Sequence, residues 1–232
     1  MTEDRVVESG AAALGISLSP AQLAALSRYL DLVVEWSGRL RLTGARTRDE
    51  AVRILVVEGL DVIPFLPETG VVADLGSGAG VPGILAAILR PLARIVLVDA
   101  SRKKAGFLEI AVRELGLSNA EVVCARAEAL GREPGHRARY DVVTARALAD
   151  LRVLAEYALP LLRVGGIGVF PKGRAASREL AAAARALEIL GGAAGAFAPV
   201  PGGGPTVIVV TKLSPTPDDY PRRAGLAERN PM

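Results

Sequence analysis

Cysteine is almost missing from this chain. Cys124 stands alone among 232 residues, so an intrachain disulfide is impossible, a cysteine-based zinc site is excluded and a reducing, cytoplasmic setting is expected. Cys124 itself reads as a small, buried apolar residue. Histidine is as rare: His136, in the stretch Glu133-Pro134-Gly135-His136-Arg137, reads as an exposed loop residue rather than a proton-transfer group. No metal site is expected. Lysine occurs only at 103, 104, 172 and 212, so 24 of the 28 basic side chains are arginine. Guanidinium suits phosphate because it binds two oxygens at once, although a codon bias toward arginine would give the same count. A net charge of +3 with pI 9.3 does not by itself establish a nucleic-acid partner. No apolar run reaches membrane-spanning length, and the opening Met1-Thr2-Glu3-Asp4 lacks an apolar signal core. A soluble protein is expected. Aromatics are 4% of the chain, which leaves the core to Ala, Leu and Val.

What is present fits one α/β domain with a modest extension. The first seventy residues or so read as helices. Ser19-Pro20 is a helix start, followed by Leu23, Leu26, Leu30, Val33, Val34 and Leu40 at helical spacing. Thr47 and Glu50 make a capping-box pattern before a second helix that should end near Pro64. Then the pattern changes. Short β-branched runs at 71–74, 94–99, 121–124, 140–144 and 166–170 alternate with amphipathic stretches near 83–90, 102–115, 148–162 and 174–190. Nearly continuous apolar strands separated by helices predict a mostly parallel, twisted sheet covered on both faces. A last strand, Val207–Val210, follows the turn Pro201-Gly202-Gly203-Gly204-Pro205, and the polar tail from Ser214 is expected to be partly mobile. The chain thus divides into a helical N-terminal extension (1–68), a nucleotide-type α/β domain (69–213) and a tail (214–232).

The chemistry gathers at the first strand's end. Asp74-Leu75-Gly76-Ser77-Gly78-Ala79-Gly80 follows a strand and opens a helix, where glycine allows a tight turn and lets a ligand approach bare backbone. Gly76-x-Gly78-x-Gly80 suits S-adenosylmethionine, while Gly78-x-Gly80-x-x-Gly83 also matches a dinucleotide fingerprint. The neighbours favour the former. A carboxylate at Asp74 can accept from a cofactor amine but would repel a pyrophosphate. Asp99, 19 residues beyond Gly80 and ending the second strand, is where an acid takes both ribose hydroxyls. Ala127 and Glu128, after the third strand, are placed to contact the adenine edge. Arg146 ends the fourth strand on the sheet edge where open α/β folds bind ligands, and Lys172 and Arg102-Lys103-Lys104 share that rim, where they could meet RNA phosphates.

The ordered set Asp74–Gly83, Val98-Asp99-Ala100-Ser101-Arg102-Lys103-Lys104, Arg126-Ala127-Glu128 and Ala145-Arg146-Ala147 resembles the bacterial RsmG/GidB family. So do Leu42-Thr43 and the tail residues Lys212, Thr216-Pro217, Tyr220-Pro221-Arg222-Arg223 and Gly225. The resemblance runs from about residue 20 to the end of the chain. It implies a Rossmann-like class I methyltransferase that moves a methyl group from S-adenosylmethionine to guanine N7 in 16S ribosomal RNA, free or in the 30S particle. A monomer is expected. It implies cofactor contacts at Asp74, Gly76, Ser77, Gly78, Gly80, Val81, Asp99, Ala100, Ser101, Ala127, Glu128 and Arg146, with Arg146 also at the reacting centre. RNA contacts are implied at Thr43, Arg102, Lys103, Lys104, Lys172, Arg222 and Arg223. Departures concentrate in the N-terminal part. Arg41 stands where members often have Asn, Leu55 or Val56 where many have His, and Glu58-Gly59-Leu60 where Asp-Ser-Leu is common. Three other readings stay open: a methyltransferase for a small molecule or protein, an NAD-dependent oxidoreductase on the overlapping glycines, and a non-catalytic partner that kept the fold.

Overall fold

The computed structural model describes residues 2–173, 175–199 and 206–232, with the side chains of 195–199 also outside the description. Two helices open the chain, α1 (Glu3–Ala13) and α2 (Pro20–Ser37). The predicted start of α2 is present in full: Ser19 Oγ accepts from the Gln22 amide while the Gln22 side chain accepts from the Ser19 amide. That reciprocal pairing satisfies two donors that a helix start would otherwise leave open. At the second start, Thr47 accepts from the Glu50 amide, but Glu50 Oε2 reaches past Thr47 to the Arg46 amide. The helix α3 (Arg48–Ala51) then widens into a π-helical segment, Val52–Val57, and tightens into a 3-10 segment, Glu58–Phe65. Pro64 lies inside its last turn.

The α/β part contains β1 (Gly70–Leu75), α4 (Gly83–Leu89), β2 (Ala93–Val98), α5 (Arg102–Glu114), β3 (Ala120–Val123) and α6 (Ala127–Leu130). It continues with β4 (Tyr140–Thr144), α7 (Leu151–Ala158), β5 (Leu162–Lys172), α8 (Ala176–Ile189), β6 (Gly192–Pro199), β7 (Thr206–Lys212) and α9 (Leu226–Arg229). The strands form one sheet in the order β3-β2-β1-β4-β5-β7-β6. The first five run parallel, β7 is antiparallel to β5, and β6 is antiparallel to β7. The order reverses between β1 and β4, which opens a ligand crevice beyond their carboxyl ends.

β6 is not expected from the sequence: its Gly-Ala-Ala-Gly start has no β-branched residue, and the strand is recruited by pairing with β7. The expected turn at 201–205 lies outside the described residues.

Two cores cover the sheet. One joins Leu26, Tyr29 and Leu30 of α2 and Leu55, Val56 and Leu60 of the π and 3-10 segments to Ile84, Leu85 and Ile88 of α4. The N-terminal helices therefore bury themselves in the same core as Ala79 and Val81 of the glycine loop's end and as α4. The second core packs α7, α8 and Ala227 of the tail on the other face.

The tail is docked rather than loose. Arg222 makes an ion pair of 2.6 Å with Glu156, whose side chain is 1% exposed, and also donates to the Asn230 carbonyl. Arg137 donates to the carbonyls of Gly131, Thr216 and Tyr220. Lys212, itself buried, donates to the Leu190 carbonyl and to Thr216 Oγ1. The composition of the tail reads as mobile, but the partners that Arg222 finds in Glu156 and that the tail carbonyls find in Arg137 lie more than sixty residues away and leave no local trace in the tail.

Candidate active site

The glycine loop is a folded cradle. Gly76, Gly78 and Gly80 have φ of +67°, +57° and +99°, a region where side-chain-bearing residues are strained. Space is also limiting: a Cβ on Gly76 would fall 2.6 Å from Leu148 Cδ1. Ser77 holds the turn by donating its amide to the Val98 carbonyl at 3.0 Å and its hydroxyl to the Asp74 carbonyl at 2.8 Å. From the opposite side the buried Tyr29 hydroxyl donates to the Ala79 carbonyl at 2.9 Å. Tyr29 thus couples α2 to the loop. Its position on the buried face of a helix gives no sequence signal beyond an apolar register.

The two acids of the site differ in environment. Asp99 is 7% exposed and accepts from the Gly78 amide at 2.9 Å and the Ser101 amide at 2.8 Å. It fixes the loop and the turn into α5 while keeping further lone pairs. Asp74 is fully buried; Oδ2 accepts from the Gly83 amide at 3.1 Å and Oδ1 has no partner. Burial pushes its carboxyl up to about 7, against the opposing amide of Gly83. An orphan buried oxygen at the foot of the cradle is costly unless a ligand uses it.

Beyond the loop lies a pocket of about 90 Å³, lined by Gly76, Val98, Ala100, Ala127, Glu128, Leu148, Tyr157 and Glu228 among others. It is far below the roughly 300–1,000 Å³ typical of a whole small-molecule site and suits a single flat ring. Glu128 is present there but turned inward: it is 4% exposed and Oε1 accepts from the Gly225 amide at 2.8 Å. The tail therefore forms part of the pocket wall through Glu228, and its Gly225 amide holds Glu128 in place. A larger pocket of about 530 Å³, between α8, β6 and Leu213, is lined mainly by apolar groups and lies away from the loop.

Arg146 stands at the end of β4, 19% exposed in its side chain. It donates to Glu58 Oε2 at 2.6 Å and to the Ile54 carbonyl at 2.6 Å, so its carboxylate partner is Glu58. Asp150 instead caps α7 and pairs with Arg152. Asp61, 5% exposed in the 3-10 segment, has one oxygen without a partner and its carboxyl is raised to about 6 by burial. Asp61 and the Ile54 carbonyl carry no site signal in the sequence, and Glu58 enters there only as a departure from the family's common Asp, because the π and 3-10 turns rotate the helix face away from the α-helical register.

The remaining candidates separate cleanly. Arg102 and Lys103 are exposed, and Lys104 Nζ would lie 4.0 Å from a Cβ on Gly78, so Lys104 borders the loop. Val81 is buried in the core and Ala100 is exposed. Thr43 is half-buried and accepts from the Ala45 amide at 3.1 Å as a turn former. Arg223 is exposed. Two side chains expected to meet RNA, Lys172 on the rim and Arg222 in the tail, are engaged internally. Lys172 bonds Glu179 at 2.9 Å and the Ala149 carbonyl at 2.6 Å with its side chain 10% exposed, and Arg222 holds Glu156. Breaking either pair to reach a phosphate would strand a largely buried carboxylate. Cys124 is exposed rather than buried, because β3 is an edge strand and ends before it. His136 is half-buried, not fully exposed, with Nδ1 2.5 Å from the Tyr140 hydroxyl. It sits near the start of β4, the end opposite Arg146. Among the described residues no cluster of His, Cys, Asp and Glu could hold a metal ion, and no helix is long and apolar enough to cross a membrane.

A parallel sheet reversing at β1/β4, with an antiparallel β7 and a glycine cradle between two strand-end acids, defines a Rossmann-like class I methyltransferase. Solved structures agree on the fold: a mutant of the 16S rRNA (adenine(1408)-N(1))-methyltransferase from Catenulisporales acidiphilia superposes with a TM-score of 0.53 at 18% identity, covering 64% of this chain and 87% of that one. Residues 22–200 match the model of the GidB family, rRNA small subunit methyltransferase G. The ribosomal RNA small subunit methyltransferase G of Chloroflexus aggregans is 42% identical over 100% of this chain and 98% of its own length. That of Symbiobacterium thermophilum is 40% identical over 98% and 97%. The chain belongs to the rRNA small subunit methyltransferase G family.

Proposed function

We propose that this protein transfers the methyl group of S-adenosylmethionine to N7 of a guanine in 16S ribosomal RNA, leaving S-adenosylhomocysteine. The observation that carries this reading is the cradle itself: a strained glycine loop between Asp74 and Asp99, with a ring-sized pocket on one side and Arg146 on the other. The residues fit the cofactor. Asp74 Oδ1 is a buried acceptor with no protein donor, suited to a cationic amine, and Asp99 retains lone pairs for ribose hydroxyls. The pocket at Val98, Ala100 and Ala127 would take the adenine. When bound, the cofactor supplies a methyl group on a positively charged sulfonium.

Guanine N7 carries a lone pair and no proton, so the chain need not remove one. Its work is alignment and charge: the loop and Asp99 fix the donor side, and Arg146 orients the base. A bound cofactor at Asp74 also offsets the burial cost of that carboxylate. Exposed Arg102, Lys103 and Arg223, with Lys104, offer contacts to RNA phosphates. Residues 1–68 are read as the substrate-facing extension, 69–213 as the cofactor-binding domain and 214–232 as the tail that closes the adenine pocket. The setting is read as cytoplasmic and the working form as a monomer acting on 16S RNA or the 30S particle.

The test is transfer of labelled methyl from S-adenosylmethionine to purified 16S RNA and 30S particles, with thermal shifts for S-adenosylmethionine, S-adenosylhomocysteine and NAD measured in parallel. Label at a guanine N7 and a shift with the first two ligands are expected. A shift with NAD alone, or label on no RNA, would overturn the reading.

A further inference from the structure

Arg146 and Glu58 meet beside the cofactor loop, and their pairing has a chemical polarity. The Arg146 guanidinium has five N–H donors and spends one on Glu58 Oε2 and one on the Ile54 carbonyl, both at 2.6 Å. The Glu58 side chain is 47% exposed, and among the described residues no donor reaches its Oε1. Its place is set by the backbone. The π-helical turn Val52–Val57 ends at Glu58, and Gly59 packs so closely on the loop's far end that a Cβ there would lie 2.7 Å from Val81 Cγ1 and 2.8 Å from Leu85 Cδ2. π-helical turns recur at functional sites because they re-aim side chains. Here the end of the turn sets a carboxylate beside the guanidinium that follows β4.

Resting on the guanine-N7 reading above, we infer that Glu58 is the specificity-determining residue that reads the Watson–Crick edge of the target base. That edge of guanine shows an acceptor, O6, followed by two donors, N1–H and N2–H. Arg146 donates to O6, and the Glu58 carboxylate accepts from N1–H and N2–H while Oε2 keeps its bond to Arg146, since each carboxylate oxygen accepts more than once. N7, on the other edge, is left free to receive the methyl group. Adenine presents the reverse order, an N6 donor and a bare N1 acceptor. It would set donor against guanidinium and lone pair against carboxylate. A splayed RNA base read on this edge is the usual mode of sequence-specific RNA recognition, and a site built for such donors rejects an analogue lacking one.

The test uses inosine, which differs from guanine only by the missing N2 amine. 16S RNA carrying guanine, or inosine at the methylated position alone, is prepared free or reconstituted into the 30S particle, whichever the unaltered enzyme methylates. The kcat/KM ratio of guanine to inosine RNA is then measured. A ratio of about tenfold or more is expected for the unaltered protein. Glu58→Gln should lower methylation of guanine RNA and bring the ratio close to one, and Glu58→Asp should keep a ratio above one. Calorimetric affinity for S-adenosylmethionine reports that each variant is folded, and Glu58→Ala gives a second measurement should glutamine disturb the fold. A ratio near one in the unaltered enzyme would overturn the inference. So would equal losses on both RNAs in the Glu58 variants, the result expected if Glu58 only holds Arg146 in place. Failure to methylate any guanine RNA would instead overturn the reading beneath it.

Discussion

Asp74 gives the most exposed consequence of the site's architecture, because one side chain links folding, pH and ligand. It is fully buried with an unpartnered Oδ1, and burial lifts its carboxyl from 3.8 to about 7. A carboxyl raised in the folded state is one that folding prefers protonated. The stability it allows is therefore complete below the unfolded value and is lost as pH rises through the folded one. Between about pH 5 and pH 8 that loss amounts to about 2–3 kcal/mol at roughly 1.36 kcal/mol per pH unit over the titrating range. Asp74→Asn imitates the protonated form and can still accept from the Gly83 amide. The difference in unfolding free energy between variant and parent, without ligand, should thus grow in the variant's favour by about that amount across the same pH range. Urea titrations at several pH values read it directly. Affinity for S-adenosylmethionine should move oppositely: it should strengthen in the parent as pH rises through about 7 and stay flat and weak in the variant. A stability difference independent of pH would refute the argument that a buried, orphaned carboxylate sits under the loop.

Three further outcomes follow from named contacts. Asp99→Ala removes the proposed ribose acceptor and also releases the Gly78 and Ser101 amides. Calorimetry should show S-adenosylmethionine bound about 1–3 kcal/mol more weakly. Arg146→Ala should lower single-turnover methylation on the order of 10²-fold at saturating donor, with Lys a poor substitute for a planar fork; near-normal turnover in a folded variant would remove Arg146 from the reaction. Arg222→Ala strands Glu156, which is 1% exposed, and should cost about 3–5 kcal/mol of stability in denaturant unfolding, with much of it recovered in the Arg222→Ala/Glu156→Gln double variant.

The cofactor half is legible in the sequence because its chemistry is local. Gly76, Gly78 and Gly80 all take left-handed φ, which glycine alone adopts freely, and Asp74 and Asp99 are tied to strand ends that β-branched runs announce. The five parallel strands and their helices can be read to within a few residues for the same reason. What escapes depends on contacts distant in sequence. Glu58 meets Arg146 across 88 positions, Tyr29 meets Ala79 across 50 and Gly225 meets Glu128 across 97. No spacing rule covers such separations. The partners of Lys172 and Arg222 escape for that reason too: their charge suits contacts to RNA, but here Glu179 and Glu156 hold them. The π-turn at Val52–Val57 hides the rest, since a changed period moves every following side chain around the helix.

The central claim, methylation of a 16S RNA guanine at N7, is tested most directly in the cell. Nucleosides from 16S RNA of a strain lacking this gene and of its parent, compared by mass spectrometry, should differ by the loss of one 7-methylguanosine, and the intact coding sequence should restore it where an Asp99→Ala copy does not. Identical 7-methylguanosine content in the two strains would contradict the account.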